Sequence, residues 1–340
     1  MEEKSTKGVW SLRRKLVVFI PVVLIVVGLA LGLGLGLTIG RNDGDGDGDD
    51  DGNNPSPTIT ASPLPTPTGT LPWTPRVNDT WQIVLQSNIL LPSESSTPTL
   101  TPNVSIYDID LFENSKETID TLHRLGKKVI CYFSAGSYEP GRPDSAEFKE
   151  GDLGKVMDGW PDEKWLRLDN DNVRRIMRDR VELAGNKGCD GVDPDNIDGY
   201  QNDNGLSLTA QSSIDFVAYL SSITQPLNLT LGLKNAGDII TAVLPVVHFS
   251  VNEQCVEENE CTTFHQFIDA GKPVFHIEYP DGAGKKLKSD VVTKFCGRTE
   301  DAQGIDSFST VLKKMDLDGW IEYCDGTIEV TSMNQTERGN

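Results

Sequence analysis

The sequence predicts an α/β fold: a (β/α)8 TIM-like barrel ectodomain behind a single N-terminal transmembrane helix and a disordered stalk. Three observations carry this. Beyond Trp73, short apolar runs alternate with helical stretches, the pattern of a parallel sheet with crossover helices. Eight such runs fit within about 250 residues, which suits a barrel. No Gly-rich phosphate turn follows the first of them, as a doubly wound open sheet would more often show. Upstream, Leu16 to Ile39 contains no charged residue.

That uncharged run is long enough to cross the ~30 Å hydrocarbon core as a helix, and longer than the about 7–15 apolar residues of a cleaved signal peptide, the alternative that its Gly/Leu repeats leave open. Lys4, Lys7, Arg13, Arg14 and Lys15 precede it, whereas Asp43, Asp45, Asp47, Asp49, Asp50 and Asp51 follow. The Lys/Arg bias predicts a cytosolic tail (1–15), a spanning helix (16–39) and the rest of the chain outside, at the cell surface or in the secretory pathway. Residues 40–72 read as a stalk, first Asp/Gly-rich and then Ser/Thr/Pro-rich, too polar to bury a core. Its Asp-Gly repeat resembles the start of a calcium loop, but Asn54 stands where the closing Glu belongs.

The ectodomain, 73–340, carries the signs of export. Sequons begin at Asn78, Asn103, Asn228 and Asn334, so a glycoprotein is expected. Six cysteines admit fifteen pairings that the sequence leaves open. Cys255–Cys261 is expected because five intervening residues can curl to bring the two Cα atoms together. Cys131–Cys189 and Cys296–Cys324 are guesses. No Cys-x-x-Cys occurs and the four histidines form no ligand-spaced cluster, so neither metal nor cofactor is expected.

The candidate strands are Trp81 to Leu85, Val104 to Ile109, Lys128 to Phe133, Trp165 to Leu168, Gly191 to Asp193, Leu229 to Leu233, Val247 to Asn252 and Pro273 to Ile277. Between them lie helical stretches such as NVRRIMRDRVELAGNKG and TAQSSIDFVAYLSSITQ. Each apolar run gives way to polar residues: Gln86, Asp108 and Asp110, Ser134, Asp169, Asp193 with Asp195 and Asn196, Lys234 with Asn235, Glu253, and Glu278. In a barrel these share the C-terminal mouth, where active sites of this fold sit. Strand ends are polar in any protein, but five of these eight bear carboxylates.

Carboxylates with amides and aromatics, and no GxSxG elbow or phosphate loop, are the equipment of glycoside hydrolysis. One carboxyl protonates the leaving oxygen while a second attacks or activates water. Tyr132, Tyr138, Trp160, Tyr200 and Tyr279 offer faces for sugar rings. The crowding of Asp193, Asp195 and Asp198 predicts that at least one is pushed up and held protonated. A formal charge of −20 argues against a nucleic-acid partner and suits a cationic polymer. The competing reading is a lectin-like surface module that binds without turnover; deacetylase chemistry would need an Asp/His metal site that the sequence lacks.

The segments CYFSAGSYEPGRPD (131–144), GWPDEKWLRLD (159–169), GCDGVDPDNIDGY (188–200), LGLKNA (231–236), VNEQC (251–255) and VFHIEYP (274–280) together resemble glycoside hydrolase family 114, the endo-α-1,4-polygalactosaminidases. The resemblance runs from about Trp73 to Pro280. It implies a barrel that cleaves internal α-1,4 bonds in polymers of galactosamine and N-acetylgalactosamine, such as galactosaminogalactan. It also implies two catalytic carboxylates, placed on Asp195 in DPDN and Glu253 in NEQC. Asp108, Asp110, Tyr132, Ser134, Asp193, Asn196, Tyr200, Lys234, Asn235, Glu278 and Tyr279 are the candidate substrate-binding residues. By analogy with other α-specific barrels, Asp195 is the expected nucleophile and Glu253 the acid/base, with retention of configuration.

Overall fold

The structure is a computed structural model that describes residues 63–91, 100–297, 299–300 and 302–334. The expected tail, span and most of the stalk lie outside the described residues. Among those described, no helix is long and apolar enough to cross a membrane.

In chain order the elements are β1 (Trp81–Val84), β2 (Ile106–Asp110), α1 (Lys116–Arg124), β3 (Lys128–Ser134), β4 (Ser137–Tyr138), β5 (Leu153–Met157), β6 (Trp160–Leu166) and α2 (Asp171–Lys187). They continue with β7 (Gly191–Asp195), α3 (Ala210–Thr224), β8 (Thr230–Lys234), α4 (Ile240–Val243), β9 (Phe249–Glu253), α5 (Cys261–Asp269) and β10 (Val274–Glu278). Last come α6 (Ser289–Cys296), β11 (Ser309–Leu312), β12 (Trp320–Tyr323) and β13 (Ile328–Val330). Local chemistry sets several helix boundaries. Ser115 and Asn170 cap α1 and α2 by accepting from backbone N–H groups, and α2 stops at Gly188, whose φ of 93° suits glycine.

One sheet runs β1-β2-β3-β7-β8-β9-β10-β11-β12-β13, parallel through β11 and antiparallel for the last two. Side chains alternate across it, giving two cores. Tyr107, Ile109, Phe133, Val192, Leu231, Leu233 and Val274 face the helices, whereas Ile106, Ile130, Phe249, Val251, Phe275, Ile277 and Val311 form a separate inner cluster. Trp81 of β1 joins that inner cluster, its ring centroid 5.0 Å from that of Phe275 on β10, so the sheet curls back on itself. The first and eighth strands are tied by Trp81 Nε1 donating to the Ser309 carbonyl (2.7 Å) and by Lys313 Nζ donating to the Ile83 carbonyl (2.8 Å). No backbone ladder joins them among the described residues.

Seven of the eight expected strands are in this sheet. The fourth, Trp165 to Leu168, is not. Its apolar residues end β6, which belongs to a small antiparallel sheet ordered β4-β6-β5, and Asp169 lies exposed beyond it. The eighth parallel strand is Ser309–Leu312, past the last expected one. All three expected disulfides are present: Cys131–Cys189, Cys255–Cys261 and Cys296–Cys324.

Candidate active site

The alternation that builds the inner core also builds the site. On β7, Asp193 and Asp195 point to the inner side while Val192 packs against the helices. On β8, Lys234 continues the inner row and is 1% exposed. Glu253 ends β9 in line with Phe249 and Val251, and Tyr279, just past the end of β10, continues the row of Phe275 and Ile277.

At the centre is Lys234. Its ammonium lies 3.2 Å from Asp195 Oδ2 and 3.3 Å from Glu253 Oε2. Both bonds start from one nitrogen, so the two oxygens are at most about 6.5 Å apart, and about 5.3 Å if the bonds leave at the tetrahedral angle. Each carboxylate has further donors. Asp195 Oδ2 accepts from Tyr132 Oη (2.9 Å) and its Oδ1 from the Asn196 N–H (2.8 Å). Glu253 Oε1 accepts from Tyr279 Oη, its Oε2 accepts from Asn235 Nδ2 (3.1 Å), and its N–H donates to Asn235 Oδ1 (2.9 Å). Burial works against the charge on Glu253, but Lys234, Tyr279 and Asn235 outweigh it and hold the carboxyl below its usual range. Burial also opposes the charge on Lys234, and Asp195, Glu253 and Asp193 outweigh it, keeping the ammonium charged.

Below this pair, Asp193 and Asp108 are both fully buried, and none of their four carboxyl oxygens has a donor other than what one can offer the other. Two carboxylates can bond to each other only by sharing a proton. Burial raises both. Asp108 rises with the added push of Asp193, and Asp193 is pushed up to about 7 against the pull of Lys234. Asp198 is also raised, to about 6, by burial and the neighbouring Asp195. The crowding expected from sequence therefore shows as upward shifts of Asp193 and Asp198, and of Asp108 beside them.

The backbone at the mouth is unusual. The residues after Asp195, Lys234 and Glu253 all take left-handed conformations, with φ of 61° at Asn196, 49° at Asn235 and 63° at Gln254. Non-glycine residues rarely adopt these, and such strain gathers at functional sites. Gly136 is required for another reason: a Cβ there would lie 1.7 Å from the Asn196 carbonyl oxygen. Its absence lets the Ala135 and Gly136 N–H groups reach the Asp195 carbonyl, at 2.9 and 3.0 Å.

The structure thus brings Asp108, Tyr132, Asp193, Asp195, Asn196, Lys234, Asn235, Glu253 and Tyr279 together. Ser134 sits one bond away, accepting from Asn196 Nδ2 (2.9 Å). Three candidates lie elsewhere. Asp110 pairs with Arg142 (2.8 Å) and caps the Phe112 and Glu113 N–H groups. Tyr200 has a buried hydroxyl without a partner and faces Asp238 and Asp198. Glu278, the last residue of β10, points to the side opposite Tyr279, the helix-covered one, where it meets His276 and the Val256 N–H. Sequence reasoning missed Glu163, whose carboxylate accepts from Ser137 Oγ (2.7 Å) beside Ser134 and Asn196. Burial pushes Glu163 up to about 7, and the charges of Glu139 and Asp195 add to the shift. Its place in a hairpin off the main sheet left no strand-end signal. Cys255, Cys261 and His276 have donor atoms within 4.8 Å of one another, but the two cysteines form a disulfide and offer no thiolate.

The profile of glycoside-hydrolase family GH114 matches residues 62–329. Among solved structures, Aspergillus fumigatus Ega3 in complex with galactosamine is 50% identical, with a TM-score of 0.68 over 75% of this chain and 99% of that one. The glycoside hydrolase domain of PelA from Pseudomonas aeruginosa is 12% identical, with a TM-score of 0.54 over 75% of this chain and 99% of that one, a likeness of fold. No curated protein matches the chain.

Proposed function

The chain belongs to glycoside-hydrolase family GH114 and is a glycoside hydrolase, and from that premise we propose that it cleaves internal α-1,4-galactosaminidic bonds in galactosamine-containing polysaccharide by a retaining, two-carboxylate mechanism. The observation that carries the mechanism is the single ammonium shared by Asp195 and Glu253. Retaining enzymes hold their carboxyl groups about 5–5.5 Å apart, and inverting ones leave about 6.5–9.5 Å for a water. A separation capped at about 6.5 Å by Lys234 supports the retaining geometry. The likeness to a protein that binds galactosamine supports the sugar. So does the acidic charge balance, since deacetylated units carry ammonium groups.

In this reading Asp195 attacks the anomeric carbon. Its two oxygens are held by Tyr132, Lys234 and the Asn196 N–H, which orients the side chain for attack. Glu253 protonates the leaving oxygen and then deprotonates the incoming water. Because Glu253 rests below its usual range, the acid form must be created on substrate binding, when the polymer shields it from Lys234 and takes a proton into the site. Asp193 and Asp108 hold a proton beneath, limiting the negative charge that Lys234 must balance.

The curled sheet is read as a (β/α)8 barrel, closed between β1 and β11 by side chains. The uncharged run 16–39 is read as a membrane anchor that leaves the hydrolase outside, glycosylated at the exposed Asn78, Asn103 and Asn228. The deciding experiment incubates the soluble 63–340 portion with deacetylated and acetylated galactosaminogalactan and sizes the products. Short oligomers from the deacetylated polymer support the reading. Binding without any change in size overturns it in favour of a lectin-like module.

A further inference from the structure

Glu278 ends β10 and Tyr279 follows it directly, and the two face opposite sides of the sheet. Both reach the same short segment. On the inner side Tyr279 Oη donates to Glu253 Oε1. On the helix-covered side Glu278 Oε1 accepts from the N–H of Val256 at 2.7 Å, three residues further on. Between them the Gln254 N–H donates to the Ile277 carbonyl (2.8 Å), and Gln254 itself is held at φ 63°. The end of β10 therefore grips 253–256 from above, below and along its backbone.

Glu278 is itself held. His276 Nε2 lies 3.0 Å from Glu278 Oε1, and its Nδ1 lies 3.0 Å from Thr310 Oγ1 on β11. A carboxylate only accepts, so Nε2 is the donor towards Glu278, and Nδ1 shares a hydrogen bond with the Thr310 hydroxyl. Cys255 Sγ packs 3.3 Å from His276 Nε2, and its disulfide to Cys261 ties the same segment to the start of α5. His276 is 0% and Glu278 1% exposed, too deep to meet a polymer.

We infer that Glu278, oriented by His276 and Thr310, is a positioning residue that fixes the backbone carrying Glu253 and so sets the alignment of Glu253 with Lys234, Tyr279 and Asn235. A buried carboxylate is a costly way to anchor a loop unless the anchor must be strong, because a charge-assisted bond is about twice as strong as a neutral one. The segment it anchors contains a left-handed non-glycine residue immediately after Glu253, which relaxes unless its surroundings over-determine it. The same alignment holds the Glu253 carboxyl low, so loosening the clamp lets burial push it up.

The inference rests on the proposed role of Glu253, and its test includes a readout that needs no turnover. The carboxyl carbon of Glu253 is followed by NMR against pH in 13C-glutamate-labelled protein, assigned with Glu253→Gln, in wild type, Glu278→Gln, Glu278→Ala and Thr310→Val. The expected result is a midpoint that moves up by about one unit in Glu278→Ala and by less in Glu278→Gln, whose amide oxygen still accepts from Val256. In parallel, kcat falls about tenfold or more with KM little changed. If Glu278→Ala does not fold, Glu278→Gln and Thr310→Val carry the test with smaller shifts of the same sign. A Glu253 midpoint unmoved in every variant that folds overturns the inference, even where the melting temperature drops. A wild-type protein that cleaves no polymer, while the midpoint still moves, overturns the proposed function and leaves the clamp standing.

Discussion

Lys234 holds Asp195 and Glu253 with one ammonium: its Nζ is 3.2 Å from Asp195 Oδ2, and the same nitrogen is 3.3 Å from Glu253 Oε2. Tyr132 and Tyr279 add a phenolic donor to each side. The two acids share the ammonium and each has a phenol; they differ in the third donor, a backbone N–H of Asn196 for Asp195 and the Asn235 side-chain amide for Glu253.

Asp195→Asn and Glu253→Gln keep the shape of each side chain and remove the carboxylate. Each is expected to lower kcat by at least about a thousandfold while leaving polymer binding largely intact. Added azide should rescue Asp195→Ala and give a glycosyl azide of inverted configuration, read by NMR. An azide of retained configuration would assign Asp195 as the acid/base instead.

Substrate binding is expected to take up close to one proton at neutral pH, because Glu253 is held ionised in the free chain and, in the proposed mechanism, donates a proton in the first step. Isothermal titration of Glu253→Gln's partner control, Asp195→Asn, in buffers of different ionisation enthalpy measures this directly. Lys234→Met should abolish the need, since without the ammonium burial drives the Glu253 carboxyl upward. It should also cost about 3–5 kcal/mol of stability at neutral pH by leaving buried carboxylates uncompensated.

The Asp108–Asp193 pair makes stability depend on pH in a defined direction. The folded-state value of Asp193, about 7, lies above the ordinary carboxylate range, so the folded chain binds a proton that the unfolded chain has lost. The stabilisation is full below about 4 and is lost as pH rises towards 7. Asp193→Asn should flatten this part of a melting-temperature profile and raise stability at pH 8. A profile with the same slope in both proteins would refute the shared proton.

Gly136→Ala forces a methyl group against the Asn196 carbonyl, at 1.7 Å before any relaxation. The segment that yields is the one bearing Asp195. We expect kcat to fall about a hundredfold, with a smaller effect on KM. Activity close to wild type would mean that the mouth is far more compliant than its close packing implies.

Much of this was legible in the sequence, for reasons that differ by residue. Asp195 and Glu253 stand in motifs long enough to place them, and Lys234 and Asn235 declared themselves as polar residues ending an apolar run. The face on which a residue lies was harder. Glu278 and Tyr279 both looked like mouth residues, yet adjacent positions on a strand point apart, and only the inner cluster of Phe275 and Ile277 decides which of them faces the site. Trp165 to Leu168 has the composition of a parallel strand, but β5 pairs with it locally as a hairpin, a choice made by contacts and not by composition. The true eighth strand begins Ser309-Thr310, two polar residues whose side chains bond to Asp79 just before β1 and to His276 on β10, and which hide the strand in sequence. Gly136 and Glu163 lie in recognisable segments, but nothing local reveals that a carbonyl crowds the first or that the second reaches Ser137.

The seam between β1 and β11 has a mechanical consequence. Everywhere else in the parallel sheet, neighbours are zipped by backbone ladders, whereas here the joint is a few pegs: Trp81 into the Ser309 carbonyl, the Ser309 hydroxyl into the Asp79 carbonyl, and Lys313 into Ile83, Gln82 and Asp318. Of these, the bonds to residues 79–83 cross the seam, whereas Lys313 to Asp318 stays on the β11 side; such pegs come out one at a time, but ladders tear together. Load applied at the front of the domain, through the chain that enters β1, falls on this joint first. Breathing should therefore begin with Trp81 swinging away from Phe275, a motion that a tryptophan emission shift registers while the ladders of β7, β8 and β9, and the carboxylates they carry, stay in register.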